Sequence, residues 1–394
     1  MKICLVYEYY FPHVGGGEVL TQHLAEGLVS RGHECVVVTA RLPGTAASEE
    51  LNGVRIRRVR VPRQGDRYWF TLRSYPAIAA AARESDIIQV ATYNGAPAAW
   101  LAGRRWGRPV VLFPFEVLDG LWMEVGLNPA AAAAFRMFEK SVLSLPYDAY
   151  SCISRYSRSR LLKMGIPAER VFLAYPGVDH RLFNPGAGGG SDKTRRRLGV
   201  DKGDFLCMYT GRPGVVKGVE YLIRSFPEIR RRIPRAKLLL ILSRQPASRY
   251  KQTLKLISRL ETDGIILHDQ VPRKQLPLYF QASDCVVVPS LNEGFGFTCV
   301  EACSMDRPVV VTDAGSLPEV VYGRYVTVQK RDPAALAAGV EKVFHGQYQV
   351  SRPRRYRWQE NVDRHLEAYT SLVSGEGVPA QEPAWAGRAS MMNW

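Results

Sequence analysis

No apolar run in this 394-residue chain reaches the roughly 18–20 residues that a membrane-crossing helix needs, so a spanning helix is excluded. Cysteine is sparse. There are seven, most of them in strand-like apolar runs (Cys4, Cys35, Cys207, Cys285). Cys299 and Cys303 share a helix face, but no His or Cys pair completes a metal-binding spacing, and no metal is expected. Buried, reduced thiols of a cytoplasmic protein are the expectation. The opening Met1–Tyr7 is too short and too soon polar for a secretory signal and reads as a first buried strand. Acidic residues are outnumbered, 37 against 53 Lys and Arg, for a formal charge of +16. Arginines cluster at 55–63 with Arg67, at 104–108, 195–197, 230–235 and 352–355, and those of the first half are the ones that suggest a membrane surface. A solvated basic face, an anionic membrane surface or a nucleic acid would each account for that excess. Helix-turn-helix, zinc-finger and RNA-recognition patterns are all missing, which argues against nucleic acid.

What is present is a rhythm of short apolar strands and helical stripes. Ile3–Tyr7, Cys35–Thr39, Val54–Val61, Ile87–Ala91, Val110–Phe113, Tyr150–Ile153 and Val171–Ala174 read as strands with helices between them. The first of those helices is 18–31, with Leu20, Leu24 and Leu28 on one stripe. A turn-rich break at 183–191 interrupts the rhythm. It restarts with strands at 205–209, 237–242, 265–267, 284–288 and 309–312. Helices follow from about Val219 and Ser248, near Gln275, from about Phe297 and near Pro333–Phe344. Such alternation implies parallel sheets covered on both faces, and ligands of such sheets bind beyond the strands' carboxyl ends. The expected division is a first doubly wound domain over 1–182, a linker over 183–203 and a second doubly wound domain over 204–355. A helix over 356–373 and a disordered tail over 374–394 complete it.

Two stretches of the second half carry chemistry. In Glu293-Gly-Phe-Gly-Phe-Thr-Cys-Val-Glu301, Gly294 and Gly296 strip side chains from a loop that opens a helix. Backbone N–H groups at a helix start hold an anion. The two flanking carboxylates are acceptors for hydroxyls, and a phosphate between hydroxyls describes a nucleotide sugar. An ordinary helix start with Glu301 in solvent is the plain alternative. The second stretch, Tyr209-Thr-Gly211-Arg212-Pro-Gly-Val-Val-Lys217-Gly218, again joins a strand to a helix. Arg212 as a planar fork and Lys217 as a point charge suit one anion gripped from two sides.

With Gly15-Gly16-Gly17-Glu18, Ser154-x-x-Ser157, Pro176-Gly177-Val178-Asp179 and Pro308 to Glu319, these stretches resemble glycosyltransferase family 4 over nearly the whole chain. The resemblance implies a GT-B fold: two Rossmann-like domains facing a deep cleft, with a C-terminal helix crossing back to the first. It implies a retaining, metal-independent hexosyltransferase that needs no cofactor. A UDP- or GDP-linked sugar would be the donor. Arg212 and Lys217 would bind the donor diphosphate, and Glu293 the sugar hydroxyls. The amides of Gly294, Phe295, Gly296 and Phe297 would meet the phosphate and sugar, and Glu301 the ribose. Gly15, Gly16 and Gly17 would line the cleft opposite. The acceptor hydroxyl would belong to a glycolipid, a lipid-linked oligosaccharide or a polysaccharide, with peripheral contact to an anionic membrane. A histidine that the family often carries is missing from the strand after Gly107-Arg-Pro109. Phe115 or Glu116 stands there instead, and Glu116 and His13 are the candidates to serve the acceptor side. A non-catalytic nucleotide-sugar binder and a nucleotide-sugar epimerase are the competing readings on the same fold.

Overall fold

The computed structural model describes residues 1–13, 15–62, 65–91, 93–187, 190–260 and 262–379. The expected disordered tail lies outside them from 380 onward, as does Arg63 of the first basic cluster. Two separate sheets form. In the first, eight strands lie side by side in the order Ser48–Leu51, Val54–Val59, Glu34–Ala40, Lys2–Val6, Ile87–Ala91, Val110–Phe113, Ala149–Cys152 and Val171–Leu173. All neighbours are parallel except Ser48–Leu51, which runs antiparallel to Val54–Val59. In the second, seven strands follow the order Ile265–Asp269, Ala236–Leu242, Phe205–Gly211, Cys285–Val288, Val309–Thr312, Gly323–Val328 and Gln349–Ser351. Only the last is antiparallel to its neighbour.

The central strands are near-continuous Val, Ile and Leu because helices bury them on both faces. In each sheet the chain winds outward first one way and then the other. The reversal falls between Lys2–Val6 and Ile87–Ala91 in the first sheet and between Phe205–Gly211 and Cys285–Val288 in the second. Crevices open at the carboxyl ends of such neighbouring strands.

The two sheets are not independent bodies. One apolar cluster runs from Tyr7, Leu20, Phe113 and Ile153 of the first half to Phe295, Val300, Leu317 and Tyr356 of the second. The helix Trp358–Val373 returns to the first sheet. It packs along Gly16–Val29, where Val362 fills the space that a side chain on Gly27 would take. Its Asn361 amide donates to the Ala174 and Tyr175 carbonyls, at 2.9 and 3.0 Å. The Tyr369 hydroxyl donates to Gln89 at 2.6 Å. His365, wholly buried on this helix, is driven down to about 4 by burial and stays neutral. The crossing helix expected from the family resemblance is therefore present.

Candidate active site

The restart loop and the Glu293 loop follow adjacent strands, Phe205–Gly211 and Cys285–Val288, at the reversal point of the second sheet. Gly218 locks them together. It adopts φ +66, and a Cβ there would overlap the Pro289 carbonyl. The Leu291 N–H donates to the Val216 carbonyl at 2.7 Å. A third loop backs the second: Gly315 lies flat on the Glu293 backbone, and the Ser316 N–H donates to the Glu293 carbonyl at 3.0 Å.

This scaffold brings Lys217 Nζ to 2.7 Å from Glu293 Oε1. The Ser290 hydroxyl donates to the same oxygen at 2.9 Å. Burial works against the Lys217 ammonium, but the Glu293 and Glu116 carboxylates outweigh it and hold its pKa above the ordinary value. Arg212 is exposed at the rim of the same loop. Its charge reaches Lys217, Glu116, Tyr209 and Tyr7. Gly296, at φ +86, caps the helix Phe297–Ser304, and its neighbours Phe295 and Phe297 stack edge to face at 5.1 Å.

The opposite wall comes from the first sheet. Gly16 and Gly17 are not in a free loop, as the sequence suggests. They form the first turn of the helix Gly16–Val29, with Gly15 as its N-cap. Glycine is required at Gly17, where a Cβ would overlap the Tyr7 hydroxyl, whereas one on Gly16 would lie in ordinary contact, 3.4 Å from the Phe297 ring. The starts of two helices, one per domain, thus meet across the cleft, and each presents the positive end of its dipole. His13 does not reach the Lys217–Glu293 pair. Its Nδ1 lies 2.9 Å from Glu18, and its ring stacks on Tyr9 at 4.8 Å. Glu8 follows the first strand and takes a hydrogen bond from Asn94, which follows Ile87–Ala91, at 3.1 Å across the reversal point.

Glu116 does join the site. The Gly294 N–H donates to its carboxylate, and Gly294 sits so close that a Cβ would overlap the Phe115 carbonyl. Burial pushes the Glu116 carboxyl up to about 7, helped by Glu293 and opposed by Lys217, the Gly294 N–H and Arg212.

Glu301 turns inward, not to solvent. Its side chain is 3% exposed and is paired with Arg273, at the start of a short turn that follows Ile265–Asp269. Burial pushes Glu301 up to about 7 while Arg273 pulls it back. Arg273 was not singled out by the sequence. It belongs to no glycine loop, and its partner lies in a separate element. Glu319, which closes the Pro308 to Glu319 stretch, also acts on partners far along the chain. From the second domain it accepts the N–H groups of Arg155 and Tyr156, at 2.8 and 3.1 Å, at the start of the first-domain helix Arg155–Lys163, and it also pairs with the Tyr175 hydroxyl. The Tyr156 hydroxyl in turn donates to Asn292 at 2.7 Å. These contacts tie the two domains to each other.

Residues 15–177 match the family described as Glycosyl transferase 4-like domain, and residues 190–365 match Glycosyl transferases group 1. Among similar proteins is a D-inositol 3-phosphate glycosyltransferase of Thermomonospora curvata, 27% identical over 90% of both chains. Another of that name, from Pseudarthrobacter chlorophenolicus, is 30% identical over 70% of this chain and 69% of its own. The fold is shared with sucrose-phosphate synthase of Thermosynechococcus elongatus, at TM-score 0.77 and 20% identity over 95% of this chain and 99% of the other. It is also shared with Anabaena Alr3699/HepE in complex with UDP-glucose, at TM-score 0.71 and 17% identity over 96% of each chain.

Proposed function

The chain belongs to glycosyltransferase family 4 and is a glycosyltransferase of the GT-B fold, and from that premise we propose that it moves a hexose from a nucleoside diphosphate sugar to an acceptor hydroxyl with retention of configuration. The observation that carries the reading is the Lys217–Glu293 pair at 2.7 Å beside a helix start, at the reversal point of the second sheet. A site for a plain phosphate has no use for a buried carboxylate next to its cation. A site for a sugar diphosphate uses both.

In this reading the donor diphosphate takes Lys217 and Arg212 as counter-charges, with the amides at 295–297 as hydrogen-bond donors. Glu293 is freed to accept from the sugar hydroxyls. As the glycosyl–oxygen bond breaks, negative charge grows on the departing diphosphate. Cations and amides already aimed there stabilise it more than they stabilise the bound donor. The two side chains supply the charge that a metal would otherwise provide. The acceptor hydroxyl attacks the anomeric carbon from the face the diphosphate leaves, and its proton passes to the departing phosphate oxygen. Glu8, Glu18 and Glu116 give the first-domain wall hydrogen-bond acceptors suited to hydroxyl-rich molecules, which supports a saccharide or lipid-linked saccharide acceptor. The names of the relatives add a phosphorylated cyclitol to the acceptors that must be tried.

The membrane part of the reading changes its footing. Arg55, Arg57 and Arg58 pair with Glu34, Glu84 and Glu49 at 2.9, 2.8 and 2.6 Å, so that cluster is largely spent within the first domain. The helix Asp66–Arg73 is the better support. It exposes Tyr68, Trp69 and Leu72 beside Arg67 and Arg73, an apolar and cationic face suited to anionic lipid. Sedimentation with anionic vesicles at low salt tests this part, and a protein left wholly in the supernatant refutes it.

The decisive experiment is a thermal-shift screen of nucleotide sugars followed by transfer assays on the stabilising donor. Bound donor raises stability with the logarithm of its concentration over Kd. Product must form with a saccharide acceptor and retain the anomeric configuration. Donor turnover without any acceptor would favour an epimerase. Binding with no turnover in the presence of every acceptor class would leave a non-catalytic binder.

A further inference from the structure

We infer that Arg273 is a positioning residue for the nucleotide end of the donor, holding Glu301 as a fixed carboxylate acceptor for the two ribose hydroxyls; the inference rests on the donor site proposed above. Glu301 sits on the buried side of the helix Phe297–Ser304, where a lone carboxylate is costly to keep ionised. One guanidinium repairs that. Arg273 pairs with Glu301, and its guanidinium carbon lies over the Phe183 ring of the linker, 5.2 Å from the centroid. Arg273 keeps 31% of its side chain exposed and its charge reaches His23 of the first domain, so the pair lies where the two domains face each other.

The electrostatic surroundings agree. On Glu301 the opposing influences are burial and Arg273. Behind Arg273 lies His23 of the helix Gly16–Val29. Its imidazole is drawn down by burial and by the Arg273 charge, and held up by Glu26 and Asp179. The thiol of Cys299, two residues before Glu301, is pushed well up and stays neutral. The consequence is chemical. A carboxylate accepts from both hydroxyls of a vicinal diol, whereas a protonated carboxyl offers fewer acceptor sites and adds a donor. Without Arg273 the Glu301 proton leaves only at higher pH, and ribose binding should follow it. Arg273 itself need not touch the nucleotide.

Calorimetric titration of the full chain with UDP, GDP and ADP identifies the diphosphate that binds. That nucleotide and its 2′,3′-dideoxy counterpart are then titrated across about pH 6 to 9 into the wild type, Arg273→Gln, Arg273→Lys and Glu301→Gln. Losing a charge-supported hydrogen-bond pair predicts about ten- to a hundredfold weaker ribonucleotide binding by Arg273→Gln near pH 6. The deficit should shrink toward pH 9, Arg273→Lys should restore the wild-type profile, and the dideoxy nucleotide should bind both proteins alike. Equal losses for both nucleotides, or an unchanged profile, would overturn the inference. If Arg273→Gln does not fold, Glu301→Gln decides: its ribonucleotide affinity should lose its pH dependence, and a profile identical to the wild type refutes the idea. Failure of all three diphosphates to bind the wild type is a different result, because it removes the donor site itself.

Discussion

At the residue scale, the site is a set of paired charges that a ligand could exchange for its own. Lys217 has Glu293 and Glu116 within its field, while Arg212 stands exposed at the rim. A diphosphate would take over both cations. Lys217→Ala and Glu293→Gln should therefore each lower transfer by about a hundred- to a thousandfold, with melting temperatures close to the wild type. Near-normal activity in both would remove these residues from the mechanism. Glu116 makes a separate prediction through its raised carboxyl. An acid whose folded pKa lies above its unfolded one favours the folded state at low pH and loses that contribution as pH rises through the folded value. For Glu116 the window runs from 4.5 to about 7. Each unit is worth about 1.4 kcal/mol, so the ceiling is about 3 kcal/mol, and partial exposure brings the expected figure to about 1–2 kcal/mol. Glu116→Gln should thus melt higher than the wild type at pH 8 and nearly alike at pH 4. Calorimetric scans at the two pH values check this, and a gain confined to the lower pH would contradict it.

At the scale of elements, the loops that carry these residues are held by backbone contact more than by side chains. Gly199 and Gly218 make a controlled pair, since both adopt φ +66. Nothing lies within 4 Å of a Cβ on Gly199, whereas one on Gly218 meets the Pro289 carbonyl. Gly199→Ala should cost only the left-handed strain, about 1 kcal/mol. Gly218→Ala should cost more, about 2–4 kcal/mol, and should abolish donor binding by parting the two loops. Equal costs in urea unfolding would show that the loop contact contributes nothing. The same elements show what the sequence could reveal. Lys217 and Glu293 sit in unbroken strand–loop–helix segments, so their setting is written locally and legible. Arg273 and Glu319 act on partners in other elements, 164 positions away for Glu319 and Arg155, so no local pattern reveals what they do. The strands Ser48–Leu51 and Gln349–Ser351 escape notice because each is a short edge strand with polar residues and little apolar alternation. Gly16 and Gly17 look like loop residues because glycine carries no helical stripe, yet they begin a helix, and at Gly17 only glycine fits beside Tyr7 and Phe115.

At the scale of the molecule, the chain crosses between its halves twice, at the 183–203 region and before Trp358–Val373, and function requires the cleft to open for exchange. The hinge side is packed: the Trp358 ring stacks on His23 at 4.2 Å and faces Phe297 at 6.3 Å, one ring from each domain around the returning helix. Polar ties add to this packing. Glu319 supplies a carboxylate on the positive end of the helix Arg155–Lys163, and Arg331 pairs with Glu124. A charge-assisted cap of this kind is worth about 1–2 kcal/mol. That is too little to hold the domains shut and enough to bias a balanced equilibrium by about five- to thirtyfold. Glu319→Ala should leave each domain folded, since its partners lie across the cleft, and should shift the population toward an open form. Small-angle scattering should then show a larger radius of gyration without ligand and recovery when donor is added. In the assay the donor KM should rise while kcat stays near the wild type, because the reacting groups on the second domain are untouched. A fall in kcat at unchanged KM and unchanged radius would place Glu319 in the chemistry and not in the closure.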